Sequence, residues 1–144
     1  MDENLLEIHE FNGIGYRPLI DFGNWRVAML RYIDELIPDQ IERVERHNET
    51  DEVFILLAGQ ALLFIGAGNS SLETLEPLTM QPLKQYNVKR GAWHVAILSR
   101  DASILLVENR DTGTANTDYF PLSTEFRHLL VETAAQELPA DWAR

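Results

Sequence analysis

The stretch His47-Asn-Glu-Thr-Asp-Glu52-Val-Phe-Ile-Leu-Leu-Ala-Gly59 decides how the chain is read. From Glu52 to Leu57 it is an apolar run of strand length with β-branched and aromatic content, and Ala58-Gly59 ends it. Ala61-Leu-Leu-Phe-Ile65 follows at once and stops at Gly66-Ala-Gly-Asn-Ser-Ser71. Two apolar runs separated by a Gly-containing break form a hairpin. Upstream, residues 40–47 form a shorter, polar strand after a turn at Pro38-Asp39, and residues 25–33 form another. Downstream, strands are expected at 74–80, 84–88, 94–98 and 103–108, the last two joined by the polar turn Ser99-Arg-Asp-Ala102. No helical pattern interrupts residues 25–109. Many short strands with regular turns point to a sandwich or barrel, not to alternating strands and helices.

The clearest helix lies at the end. Phe126, Leu129, Leu130, Thr133 and Ala134 recur at the spacing of one helical face, Ser123 or Thr124 can cap it, and Pro139 lies beyond it. The expectation is one domain over 1–144, with an all-β barrel at about 22–122 and a helix at about 124–137 packed outside. The apolar stripe of that helix packs either on its own barrel or on a partner. Residues 2–10 suit a weak amphipathic helix, a loop or an edge strand. Residues 111–118 are rich in turn formers and lead out of the barrel, over a neighbour or over a cavity mouth.

Composition excludes several classes of function. The chain has 144 residues and a net charge of −11, with no Cys. Disulfides, thiolate catalysis and Cys-ligated zinc or iron–sulfur clusters are therefore out. The acidic balance, with a pI near 4.7, argues against nucleic acid and against an anionic membrane surface. No apolar run approaches the roughly 20 residues of a membrane span. The Met-Asp-Glu-Asn start is acidic where a secretory signal is basic, so a cytoplasmic location is expected. The charge is uneven: residues 1–52 carry 13 acids against 5 bases, whereas 53–110 carry 4 against 5.

Four His are present, and two stand in recognisable spacings. His9 and His128 lie in polar terminal segments and read as surface residues. The pattern Glu45-x-His47-x4-Glu52 puts Glu45 and His47 on one strand face, and Glu52 returns to that face after the Asn48–Asp51 turn. Gly91-x2-His94 adds a second imidazole from another strand. Imidazoles and carboxylates converging on one cavity are the ligand types of a divalent ion. They equally suit a hydrogen-bonded polar cluster in a barrel mouth. Arg46 alternates away from His47 and should point outward.

These two spacings resemble the cupin superfamily. Its first motif runs G-x5-H-x-H-x3,4-E-x6-G, matched at His47, Glu52 and Gly59, with Asp39 in place of the opening Gly and Glu45 in place of the first His. Its second runs G-x5-P-x-G-x2-H-x3-N, matched at Gly91 and His94. There Leu83 replaces the first Gly, Lys89 the Pro and Leu98 the Asn. The resemblance covers about residues 25–110. It implies a cupin-type jelly-roll barrel, a homodimer and a small-molecule ligand. It also implies a divalent metal (Mn, Fe, Ni or Zn) held by His47, Glu52 and His94, with Glu45 either as a fourth ligand or turned outward.

A narrower likeness joins Arg90-Gly-Ala-Trp-His94 to the R-G-x-W-H element of ureidoglycolate lyases. The functional expectation is a metal-dependent lyase, isomerase or oxygenase acting on a small polar or carboxylate-bearing substrate. His94 and Glu52 would be its catalytic groups, and Tyr86, Arg90 and Trp93 would bind substrate. The alternatives are a non-catalytic cupin holding a sugar or small acid, and a ureidoglycolate-lyase-like enzyme.

Overall fold

The computed structural model describes residues 1–143. Ten strands follow in order: β1 (Tyr16–Phe22), β2 (Trp25–Arg31), β3 (Arg43–His47), β4 (Glu52–Ala58), β5 (Ala61–Ala67), β6 (Thr74–Thr79), β7 (Gln85–Val88), β8 (Trp93–Leu98), β9 (Ser103–Asn109) and β10 (Thr117–Pro121). The helix α1 (Thr124–Glu137) closes the chain. The strands form two five-stranded antiparallel sheets, in the orders β1-β2-β9-β4-β7 and β10-β3-β8-β5-β6. This is the all-β jelly-roll barrel expected, with one helix outside it.

Period-two alternation sorts the apolar side chains into two cores. Phe54, Leu56, Leu63, Leu98, Ile104 and Leu106 point between the sheets and fill the barrel's closed end. The alternate residues Leu62, Phe64, Trp93 and Ile97 lie on the outer face of the second sheet, with Leu130, Ala134 and Leu138 of the helix segment packed over them. The helix stripe therefore packs on its own barrel. Ser123 caps α1, its Oγ accepting the Phe126 N–H at 3.2 Å. This satisfies a backbone donor that the first turn leaves open.

Gly59 makes the β4–β5 hairpin possible. Its φ is +72°, and a Cβ there would lie 2.5 Å from Ala102 Cα. Only glycine meets both demands.

The ends of the barrel depart from the sequence expectation. The first strand begins at Tyr16, six residues before the expected edge at 22. It is an exposed edge strand with a register shift between Pro18 and Ile20, so it lacks the alternation that marks a half-buried strand. Residues 2–10 hold no helix and are exposed. A 3-10 turn at Thr114–Asn116 leads into β10, which pairs with β3, so the segment after 111 rejoins the barrel. No helix among the described residues is long and apolar enough to cross a membrane.

Candidate functional site

Each inward-facing residue near the open end is set by strand register. Glu45 and His47 lie two apart on β3, and Glu45 pairs directly with His94 at the start of β8. Glu52 opens β4, and Glu108 lies near the end of β9, on the same face as Ile104 and Leu106. Together they surround the inner part of a cavity of about 740 Å³. Leu30, Leu36, Phe54 and Leu106 give it an apolar side, and Thr112, Gly113 and Thr114 from the 111–118 segment stand at its mouth.

Glu52 is the hub. Its Oε2 lies 3.1 Å from Nε2 of both His47 and His94, and all three residues are buried. His94 Nδ1–H donates to the Ala92 carbonyl at 3.0 Å, because a carbonyl can only accept. This leaves Nε2 pointing inward, with a lone pair in the neutral ring and a proton in the charged one. That nitrogen lies too far off line to bond Glu52 and has no other partner. His47 Nδ1 is likewise held at its outer side, 2.9 Å from Thr117 Oγ1. The two rings sit edge to face, 5.2 Å apart.

A buried carboxylate facing two imidazole nitrogens requires a cation between them, either protons or a metal. Burial alone would lower the pKa of both His, but the Glu52 carboxylate outweighs it and raises each. Burial alone would raise Glu52, and the two imidazoles reverse this, holding it below the usual carboxylate range.

Glu108 is the site residue that sequence reasoning missed. It is 6% exposed, and Tyr16 of β1 donates to its Oε1 at 2.5 Å. Burial pushes its pKa up to about 7, the Tyr16 hydrogen bond lowers it and the Glu52 charge raises it. A signal for Glu108 was present, since it is the lone acid at an inward position of Ser103-Ile-Leu-Leu-Val-Glu108. For Tyr16 there was none, because its strand carries no pattern.

The donor set fits a divalent ion. Glu45, His47 and His94 bring one ligand atom each to within 4.8 Å of one another, and so do His47, Glu52 and Glu108. Both imidazoles have outer nitrogens anchored by second partners, as metal-binding His do. Glu45 faces the cavity with its Oε1 3.8 Å from His94 Nε2, so it does not turn outward.

No family model matches the chain, and no curated protein matches it in sequence. Solved structures do match. Pac13 of Streptomyces, a nucleoside dehydratase whose β-barrel structure is known, aligns over 81% of this chain and 87% of its own at 10% identity, with a TM-score of 0.51. The protein BH2720 of Bacillus halodurans aligns over 82% and 84% at 14% identity, with a TM-score of 0.52. A cupin-2 domain containing protein from Shewanella frigidimarina shares 22% identity over 69% of this chain and 85% of that one, with a TM-score of 0.48. The jelly-roll topology, the motif residues gathered at its open end and the likenesses to Pac13 and BH2720 agree. The fold is that of the cupins.

Two altered motif positions fall at distinct points of this fold. Leu83, where the second motif has Gly, is held at φ +66°, the left-handed conformation that glycine would adopt freely. Leu98, in place of the motif's Asn, is fully buried in the barrel interior.

The three residues expected to bind substrate lie elsewhere than the cavity lining. Trp93 is 2% exposed on the outer face of the sheet, under Arg46 and beside Phe120. Arg46 points outward as expected, paired with Asp118 at 2.9 Å. Tyr86 packs against the inner core, its hydroxyl accepting from Gln81 N–H. Arg90 is exposed in the β7–β8 turn, its backbone N–H donating to Asp51. Of the Arg90-Gly-Ala-Trp-His94 element, only His94 reaches the cavity.

Proposed function

We propose that this cupin is a metal-dependent enzyme acting on a small polar molecule bound in the barrel, with His47, Glu52, His94 and Glu45 holding a divalent ion. The observation that carries the reading is the His94 ring. Its Nδ1 is fixed on a backbone carbonyl, and its buried Nε2 faces the cavity without a hydrogen-bond partner. An ion there would polarise a substrate carbonyl or activate water or dioxygen, the chemistry of a lyase, isomerase or oxygenase. The protein's own groups supply the rest. His47 and His94 present Nε2 in fixed orientation, Glu52 neutralises positive charge between them, and the apolar wall from Leu30 to Leu106 excludes water. The carboxylate-rich set favours Mn or Fe over softer ions. Pac13, a nucleoside dehydratase on the same barrel, shows that the fold serves small polar ligands.

Metal analysis of untagged protein tests the reading. Near-stoichiometric metal, lost in His94→Ala, is expected. Substoichiometric metal, unchanged by His47→Ala or His94→Ala, would overturn it.

The homodimer implied by the cupin likeness has a candidate surface. Val27 and Met29 of β2, Leu105 and Val107 of β9, and Val53 and Ile55 of β4 form adjacent rows on the outer face of the first sheet. They are half-buried and belong to neither core. Such a flat apolar face is self-complementary about a two-fold axis. Sedimentation at micromolar concentration should report a dimer, and Ile55→Glu should return it to monomer. A monomeric wild type rejects this surface.

A further inference from the structure

On the reading that this cavity is the functional site, we infer that it takes a ligand rich in hydrogen-bond donors and without negative charge, a polyol or an amine, and that Glu108 is one of the acceptors that read it. Glu108 lies outside both cupin motifs, and the argument begins from charge. The cavity lining includes Glu35, Glu42, Glu45, Glu52 and Glu108 against a single permanent cation, Arg43. That guanidinium lies 3.9 Å over the Tyr119 ring and forms no ion pair among the described residues. The other cations nearby in sequence are spent outside: Lys89 is bound to Asp51 at 2.6 Å, and Arg90 is exposed. The carboxylate-bearing substrate expected from the sequence rested on Arg90 and Tyr86, neither of which lines the cavity.

Hydrogen-bond capacity points the same way. Carboxylate oxygens accept hydrogen bonds, as Glu108 Oε1 does from Tyr16. Glu108 receives Tyr16 on one oxygen and has its other oxygen free, while Glu45 accepts no hydrogen bond. His94 Nε2, on a ring 3% exposed, is a further inward group without a hydrogen-bond partner. Around Glu45, His94 and Glu108 the cavity thus offers open acceptors, opposite an apolar wall of Leu30, Leu36 and Phe54. Hydroxyl or ammonium groups would satisfy those acceptors, and a ligand carboxylate would face like charge, most strongly from the buried Glu52 and Glu108. Glu108, held by Tyr16 and within 4.8 Å of ligand atoms of His47 and Glu52, would accept from a ligand group lying beside that cluster.

Three matched probes test this: phenyl β-D-glucoside, its 6-amino-6-deoxy analogue, and phenyl β-D-glucuronide, which differ only at one terminal group. Calorimetric titration of the full chain is run in chelator and again with manganese. The neutral and cationic probes should bind at least about tenfold tighter than the glucuronide, and the stronger of the two identifies polyol or amine. Glu108→Gln should weaken the glucoside by about tenfold, the scale of one hydrogen bond to a charged group, and narrow the gap to the glucuronide. Should that variant fail to fold, Tyr16→Phe keeps the carboxylate and must preserve the order of the three probes. Equal or tighter glucuronide binding, no binding by any probe, or an unchanged Glu108→Gln would overturn the inference. Failure of the metal reading shows separately, as missing metal, and leaves the order in chelator intact.

Discussion

Replacing Glu52 by Gln should destabilise the metal-free protein strongly in mild acid and little above neutrality. Glu52 sits between two buried imidazoles, 3.1 Å from each. Both imidazole pKa values are raised from 6.5 in the folded state, because Glu52 outweighs burial. The stabilisation that their protons bring is complete below 6.5 and is lost as pH rises through the raised folded values. The Glu52 pKa is lowered from 4.5, since the imidazoles outweigh its burial, so its contribution is complete above 4.5 and is lost as pH falls through the folded value. The triad is therefore worth most between these two limits. With Gln in place, only the weaker pull of Glu45, of Glu108 on His47 and of the Ala92 carbonyl on His94 still opposes burial, so the imidazoles hold their protons less tightly and the charge pairing with Glu52 disappears. Breaking a buried pair costs about 3–5 kcal/mol, whereas exchanging a neutral hydrogen bond costs about 1 kcal/mol. For a chain of this length these correspond to about 10 °C and about 3 °C in Tm. Thermal unfolding in chelator at about pH 5.5 and about pH 8.5 measures both. An equal loss at the two pH values, or a larger one in alkali, would refute the assignment of the imidazoles as protonated partners of Glu52.

Further outcomes follow from other contacts. Thr117→Val removes the partner of His47 Nδ1 and should weaken divalent-metal affinity by about 10–100-fold in a competition titration, with the fold unchanged by circular dichroism. Leu83→Gly should cost nothing in urea unfolding and gain up to about 1 kcal/mol, because the side chain is exposed and the left-handed strain disappears; a loss above that size contradicts the strain. Gly59→Ala should lose at least about 2 kcal/mol, since the new Cβ meets the backbone at Ala102 and the φ is positive. Leu130→Ala should cost about 2–5 kcal/mol by emptying a fully buried site beneath α1, while ligand affinity in the barrel stays as it was.

The strands from β2 to β9 and the helix were legible because each carries a periodic signal. Glu52-Val-Phe-Ile-Leu-Leu57 has the length, branching and terminating Gly of a strand, and the Phe126 to Ala134 stripe has the spacing of a helix face. The metal-type residues were legible for a related reason. Glu45 and His47 must share a face because they lie two apart on one strand, whereas Glu52 and His94, on other strands, were linked to them by the likeness of their spacings to the cupin motifs. β1 and β10 escaped notice because edge strands bury little and so need no alternation, as the exposure of Tyr16–Phe22 shows.

Local chain chemistry by itself determined the β4–β5 hairpin, the capped helix and the shared face of Glu45 and His47. Only the tertiary structure decided which face of each strand became the interior. Alternation says that neighbours point opposite ways, and packing alone chooses between them. That choice turned His94 into the cavity and Trp93 beneath Arg46 on the outside, although the two are adjacent in the chain. It also joined Tyr16 to Glu108 across 92 residues of sequence. No local pattern records such a contact, because it exists only once β1 and β9 have both paired with β2.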